Sequence, residues 1–148
     1  MCFPDLIVCR GRYADVLTGA LTRSTSFMSS GLLRADDYRR ALRFGSTPPH
    51  QATLFGPGAC SRISHYASRF NLSADLDYFL RISRFDDLVV QCLDLELVHM
   101  SLGGISGQQT KRRLKEVSYA YRRAFGWTWF LTFLARYFRR FVSLFSRS

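Results

Sequence analysis

Two hydrophobic rhythms run along the chain. Leu93, Leu95 and Leu97 alternate with Asp94 and Glu96 inside LVVQCLDLELVHM (88–100), a period of two that predicts a strand with one wet face. The short run DLIVC (5–9), bounded by Pro4 and by Arg10-Gly11, is a candidate partner strand. Elsewhere the spacing is helical. Residues 32–44 place Leu32, Ala35, Tyr38, Ala41 and Leu42 on one face, with Ser30 ahead, Gly45 behind and Pro48-Pro49 beyond. YADVLTGALT (13–22) predicts one or two helical turns, SRISHYASRF (61–70) a short helix, and a further helix starts at Ser73. Residues 46–60 read as a long loop. Ser106 and Gln109 have the spacing of a capping box, in which hydroxyl and amide satisfy the free donors of a helix start. The expected fold is therefore α+β and mostly helical. A compact α-rich body with one or two strands covers residues 1–107, and a basic, aromatic helical tail covers 108–148.

The tail carries the clearest pattern. From the expected cap, Leu114, Val117, Tyr121 and Phe125 line one stripe, and Gly126 marks a bend. With Trp127 set at 0° and about 100° added per residue, Arg136, Arg139 and Arg140 fall with Thr128 and Thr132 between about 100° and 220°. Phe130, Leu131, Phe133, Leu134, Tyr137, Phe138, Phe141, Val142 and Phe145 fill the opposite side. Trp129 alone among the large apolar residues stands on the charged side. The longest uncharged run is 124–135, about 18 Å of helix, against the roughly 30 Å of a hydrocarbon core. This segment is too short to span. Arg on one face with Trp, Phe and Leu on the other is the composition of helices that lie in a membrane interface.

Charge sharpens that picture. The net charge of +10 is concentrated in residues 111–148, where ten Lys and Arg face Glu116 alone; up to residue 110, eleven Arg face ten acids. The same segment holds eleven of the 22 aromatics. Such asymmetry marks a segment that meets an anionic partner. The excess of Arg over Lys has two readings, the fit of guanidinium to phosphate-rich partners and a coding bias common among small virus-encoded accessory proteins; coding bias does not account for the clustering.

Three occupants fit the amphipathic helix: its own body, a membrane surface, or a host protein. The favoured expectation is a non-enzymatic accessory protein docking on anionic membrane or a host partner through Trp127, Trp129, Phe130, Phe133, Arg136, Phe138, Arg139, Arg140, Phe141 and Phe145. The alternative is an RNA-binding protein, such as a viral silencing suppressor or movement protein. There Lys111, Arg112, Arg113, Lys115, Arg122 and Arg123 would take phosphates while Tyr119 and Tyr121 stack on unpaired bases. Asp5 and Arg10 interrupt the only early apolar run, so an intracellular location is expected, cytoplasmic or peripheral to a membrane, without export.

Catalytic signals are sparse. FGPGACSRISHY (55–66) resembles a site, with Cys60 at an expected helix start where the dipole would lower a thiol pKa. His65, five residues on, points to another side of that helix. The four cysteines and three histidines contain no C-x2-C or H-x3-H pair, so a zinc site would have to be assembled from scattered residues. No cofactor or metal is expected.

Overall fold

The computed structural model describes residues 3–15, 17–101 and 109–145. Its centre is β1 (Leu6–Ala14), which pairs along one edge in parallel with β5 (Val89–Ser101). The other edge of β1 takes two short antiparallel strands. β4 (Thr53–Phe55) lies against its first half and β2 (Leu21–Thr25) against its second. β3 (Gly31–Arg34) pairs antiparallel with the start of β5, giving the order β2-β1-β5-β3 in a curled mixed sheet. Asp5 ties the two long strands together: its N–H donates to the Val89 carbonyl and its carboxylate accepts from the Val89 N–H.

Five strands among the described residues overturn the expectation of a mostly helical body with one or two. β5 lies where the alternation puts it, whereas β1 starts in the expected run 5–9 and continues to Ala14, into residues expected to be helical. The three strands that escaped the pattern are five, four and three residues long, too short to display a period, and they exist because β1 and β5 offer edges to pair with. Of the segment 13–22 expected to be helical, Tyr13 and Ala14 belong to β1, Leu21 and Thr22 belong to β2, and residues 15 and 17–20 carry no helix. The Asp15 carboxylate accepts from the N–H groups of Leu17 and Thr18, Gly19 takes a positive φ, and the chain reverses into β2. Residues 32–34 belong to β3, so the helix expected over 32–44 shortens to α1 (Ala35–Arg43). The loop expected over 46–60 contains β4 and the start of α2 (Pro57–Arg62), and residues 63–70 carry no helix.

Leu6, Val8, Val90 and Cys92 of the sheet pack with Tyr38 and Leu42 of α1 in one core, together with Leu76, Phe79, Leu80 and Ile82 of α3 (Ala74–Ile82). The same core takes Val117, Ala120 and Tyr121 of α4 (Thr110–Phe125). Ser106 of the expected capping box lies outside the described residues. α4 begins beyond Gln109, which makes no side-chain capping bond. α4 is anchored instead by Glu116, the single acid of the basic segment. Its carboxylate reaches the start of α3 and accepts from the backbone N–H groups of Asn71, Leu72 and Ser73. Asp77 of α3, buried, answers with ion pairs to Arg81 and, at 3.6 Å, to Arg123 of α4. After a bend at Gly126 and a single 3-10 turn, the chain enters α5 (Trp129–Phe145).

Candidate docking surface on the C-terminal helix

α5 lies on the body through its polar arc. Thr132, at about 140° on the wheel, is 4% exposed, and Arg136, at about 180°, is half-buried. Arg136 donates through Nη1 to Thr47 Oγ1 and to Tyr121 Oη, both at 3.1 Å. Trp129, at about 200°, and Phe133, at about 240°, pack onto the core with their rings edge to face. The backbone of α5 comes so close to Gly45 that a Cβ there would stand 2.5 Å from Arg136 Cα and N. The one aromatic residue that looked misplaced on the wheel, Trp129, thus marks the side that meets the body.

The apolar arc consequently points away. Trp127, Phe130, Leu131, Leu134, Phe138, Phe141 and Val142 lie between about 300° and 60° and all are exposed, Trp127 by 82% and Phe138 by 67%. Seven large exposed side chains share this arc, and at about 100 Å² each they present on the order of several hundred Å² of surface, the scale of patch that marks an interaction site. Thr132 and Arg136 hold the opposite side down, so the patch is carried on a docked element.

Of the residues singled out for membrane contact, Trp127, Phe130, Phe138, Arg139 and Phe141 are therefore outward. Trp129, Phe133 and Arg136 face the body. The side chains of Arg140 and Phe145 lie outside the described residues. Leu131, Leu134 and Val142, on the same wheel sector, complete the patch. Among the described residues no helix is long and apolar enough to cross a membrane.

The residues considered for RNA divide differently. Lys111, Arg112, Lys115, Tyr119, Arg122 and Arg123 are exposed on one side of α4. Arg69 lies over the Tyr119 ring and donates to its hydroxyl. Arg112 and Arg123 are in ion pairs with Glu116 and Asp77. Arg113 is half-buried, and Tyr121 is fully buried, stacked on Phe125.

Cys60 sits in the second half of the six-residue α2, not at its start, because the helix already begins at Pro57. Its thiol is exposed and bonds the Phe55 carbonyl, whereas His65 bonds Ser64. Cys9 and Cys92 are buried thiols on the neighbouring strands β1 and β5, and burial pushes both pKa values up; the Cys9 charge adds to the rise at Cys92. A thiol-reactive probe should therefore label Cys60 in the folded protein within minutes, while Cys9 and Cys92 react only after denaturation; mass mapping of the adducts checks this. Among the described residues no cluster of three or more His, Cys, Asp or Glu is placed to hold a metal ion. No protein-family model matches the chain, and no curated protein and no solved structure matches it either.

Proposed function

We propose that the protein acts by binding, and that it docks on anionic membrane surfaces by laying the outward face of α5 into the interface. The observation that carries this reading is the orientation of α5: its polar arc is spent on the body and its aromatic arc is presented to the outside. Aromatic rings favour headgroup depth, and the exposed Arg139 on the flank of the patch is positioned to meet lipid phosphates. Several hundred Å² of apolar surface leaving water is worth on the order of 10 kcal/mol before the costs of association, ample for peripheral attachment. The net charge of +10 adds long-range attraction to an anionic surface, weakened by salt.

The test is co-sedimentation of the full chain with phosphatidylserine-containing and neutral vesicles. Wild type is expected to prefer the anionic vesicles, with binding that falls as salt rises. The double substitution Leu134→Asp with Phe138→Asp is expected to reduce binding by more than tenfold. Both side chains are exposed, so the folding free energy should change by about 1 kcal/mol or less. A double variant that sediments like wild type overturns the reading. So does loss of a concentration-dependent dimer in that variant when wild type binds no vesicles.

A second reading, RNA contact, is favoured by the exposed face of α4, where Lys111, Lys115, Tyr119 and Arg122 fall within about 80° of arc. It requires RNA affinity that drops steeply with salt and a flatter slope in Lys111→Gln with Lys115→Gln.

A further inference from the structure

We propose that the cavity enclosed by the start of α3 and the facing sides of α4 and α5 binds a phosphate monoester group. Ser73, Asp75 and Leu76 of α3 and its approach, Arg113 and Val117 of α4, and Arg136 and Tyr137 of α5 wall a space of about 140 Å³. A water molecule takes about 30 Å³ in the liquid, so the space admits a tetrahedral oxyanion with water beside it.

The arginines give the cavity its sign. Six arginines among the described residues are half-buried: Arg12, Arg39, Arg62, Arg81, Arg113 and Arg136. The first four each have a carboxylate in contact, Glu96 at 2.8 Å, Asp86, Asp87 at 2.6 Å and Asp77 at 2.9 Å. Arg113 and Arg136 have none. Both line this cavity, and the Nε–H of each is buried without a hydrogen-bond partner. Arg136 satisfies only Nη1, on neutral hydroxyls. Glu116, one helical turn from Arg113, is already committed to the backbone of residues 71–73 and to Arg112. A partly desolvated guanidinium without a counterion is costly, and two on one cavity are matched by a ligand that brings negative charge and several acceptor oxygens. Guanidinium forks suit the oxygens of a phosphate group. Asp75 is the opposing charge on the wall; it pairs with neither arginine and leaves the site net positive.

The proposal is independent of the apolar patch, because it is read without vesicles. The full chain is titrated calorimetrically with inorganic phosphate at constant ionic strength. Arg113→Gln is expected to weaken phosphate binding at least tenfold, and Arg34→Gln, exposed at the end of β3, to leave it within twofold. Asp75→Asn removes the opposing charge and is expected to tighten binding severalfold, a gain that a misfolded variant does not produce. No binding up to about 10 mM phosphate, or equal affinities in wild type, Arg113→Gln and Asp75→Asn, overturns the proposal. Vesicles distinguish the sources of the group. If it is a lipid headgroup, wild type prefers phosphatidic acid, which carries a monoester, over phosphatidylserine at equal surface charge, and Arg113→Gln abolishes the preference. If it is a soluble phosphate compound, Arg113 governs the titration alone and the two vesicles bind alike.

Discussion

Gly45→Ala is expected to lower the stability of the protein by about 3 kcal/mol, whereas Gly126→Ala costs about 1 kcal/mol. Both glycines have positive φ, +77° and +56°, so both substitutions carry the penalty of a side chain in the left-handed region. The difference lies in the surroundings. Nothing stands within 4 Å of a Cβ at Gly126, but one at Gly45 would meet the Arg136 backbone at 2.5 Å. Backbone does not swing aside as a side chain does, so α5 has to shift outward and lose the Arg136 bonds to Thr47 and Tyr121. Urea denaturation gives the two energies. Tryptophan emission identifies the cause, since Trp127 is already exposed and Trp129 is the only other tryptophan: a red shift in Gly45→Ala alone reports the release of α5. An equal cost at both positions would show that backbone conformation is the whole effect. The released helix keeps its aromatic arc, so Gly45→Ala should still bind anionic vesicles, unlike the Leu134 and Phe138 double variant.

The second large effect is expected at Glu116. Glu116→Ala should cost about 3 kcal/mol, because one ionised acceptor serves three backbone donors at the start of α3. The contacts to Leu72, Ser73 and Asn71 are 2.8, 3.0 and 3.2 Å from Oε2. Removing the carboxylate strands the N–H groups of Leu72 and Ser73 in a partly buried position, leaves that of Asn71 to water, and breaks the Arg112 ion pair. Glu116→Gln keeps an acceptor but no charge, and about half the loss is expected. Hydrogen exchange separates this from a general weakening: the amides of residues 71–73 should lose protection by more than those of β1 and β5. Uniform loss across the chain would refute the capping role. Glu116 is the one negative charge in a segment of ten cations, and it is placed where it holds α4 to α3, two of the three helices that wall the arginine cavity.

Which arc of α5 faces outward bears directly on membrane docking. A helical wheel divides side chains around an axis and says nothing about which sector the rest of the molecule will occupy. The common outcome is an apolar arc turned inward. Here the body offers Thr47 and Tyr121 oxygens and a gap above Gly45, features that accept Thr132 and Arg136 at close range. Trp129 and Phe133 at the margin of the polar arc supply the apolar contact that docking needs. The misplaced Trp129 was the only hint in the sequence, and it has no meaning without knowledge of the surface it meets.

The long elements were legible along the chain. β5, the first half of β1, α3, most of α1, the bend at Gly126 and the amphipathic division of α5 all follow from local periodicity and from glycine conformational freedom, which depend on neighbours a few residues away. The concentration of cations after residue 110 is equally a property of the sequence. The three short strands, the use of Glu116 as a remote cap, the direction of the aromatic arc and the meeting of Arg113 with Arg136 at one cavity were settled only by tertiary structure. Each depends on groups tens of residues apart in the chain. A strand of three residues forms because a distant edge has unpaired N–H and C=O groups, and an arginine lacks a counterion because folding has committed the nearby carboxylate elsewhere.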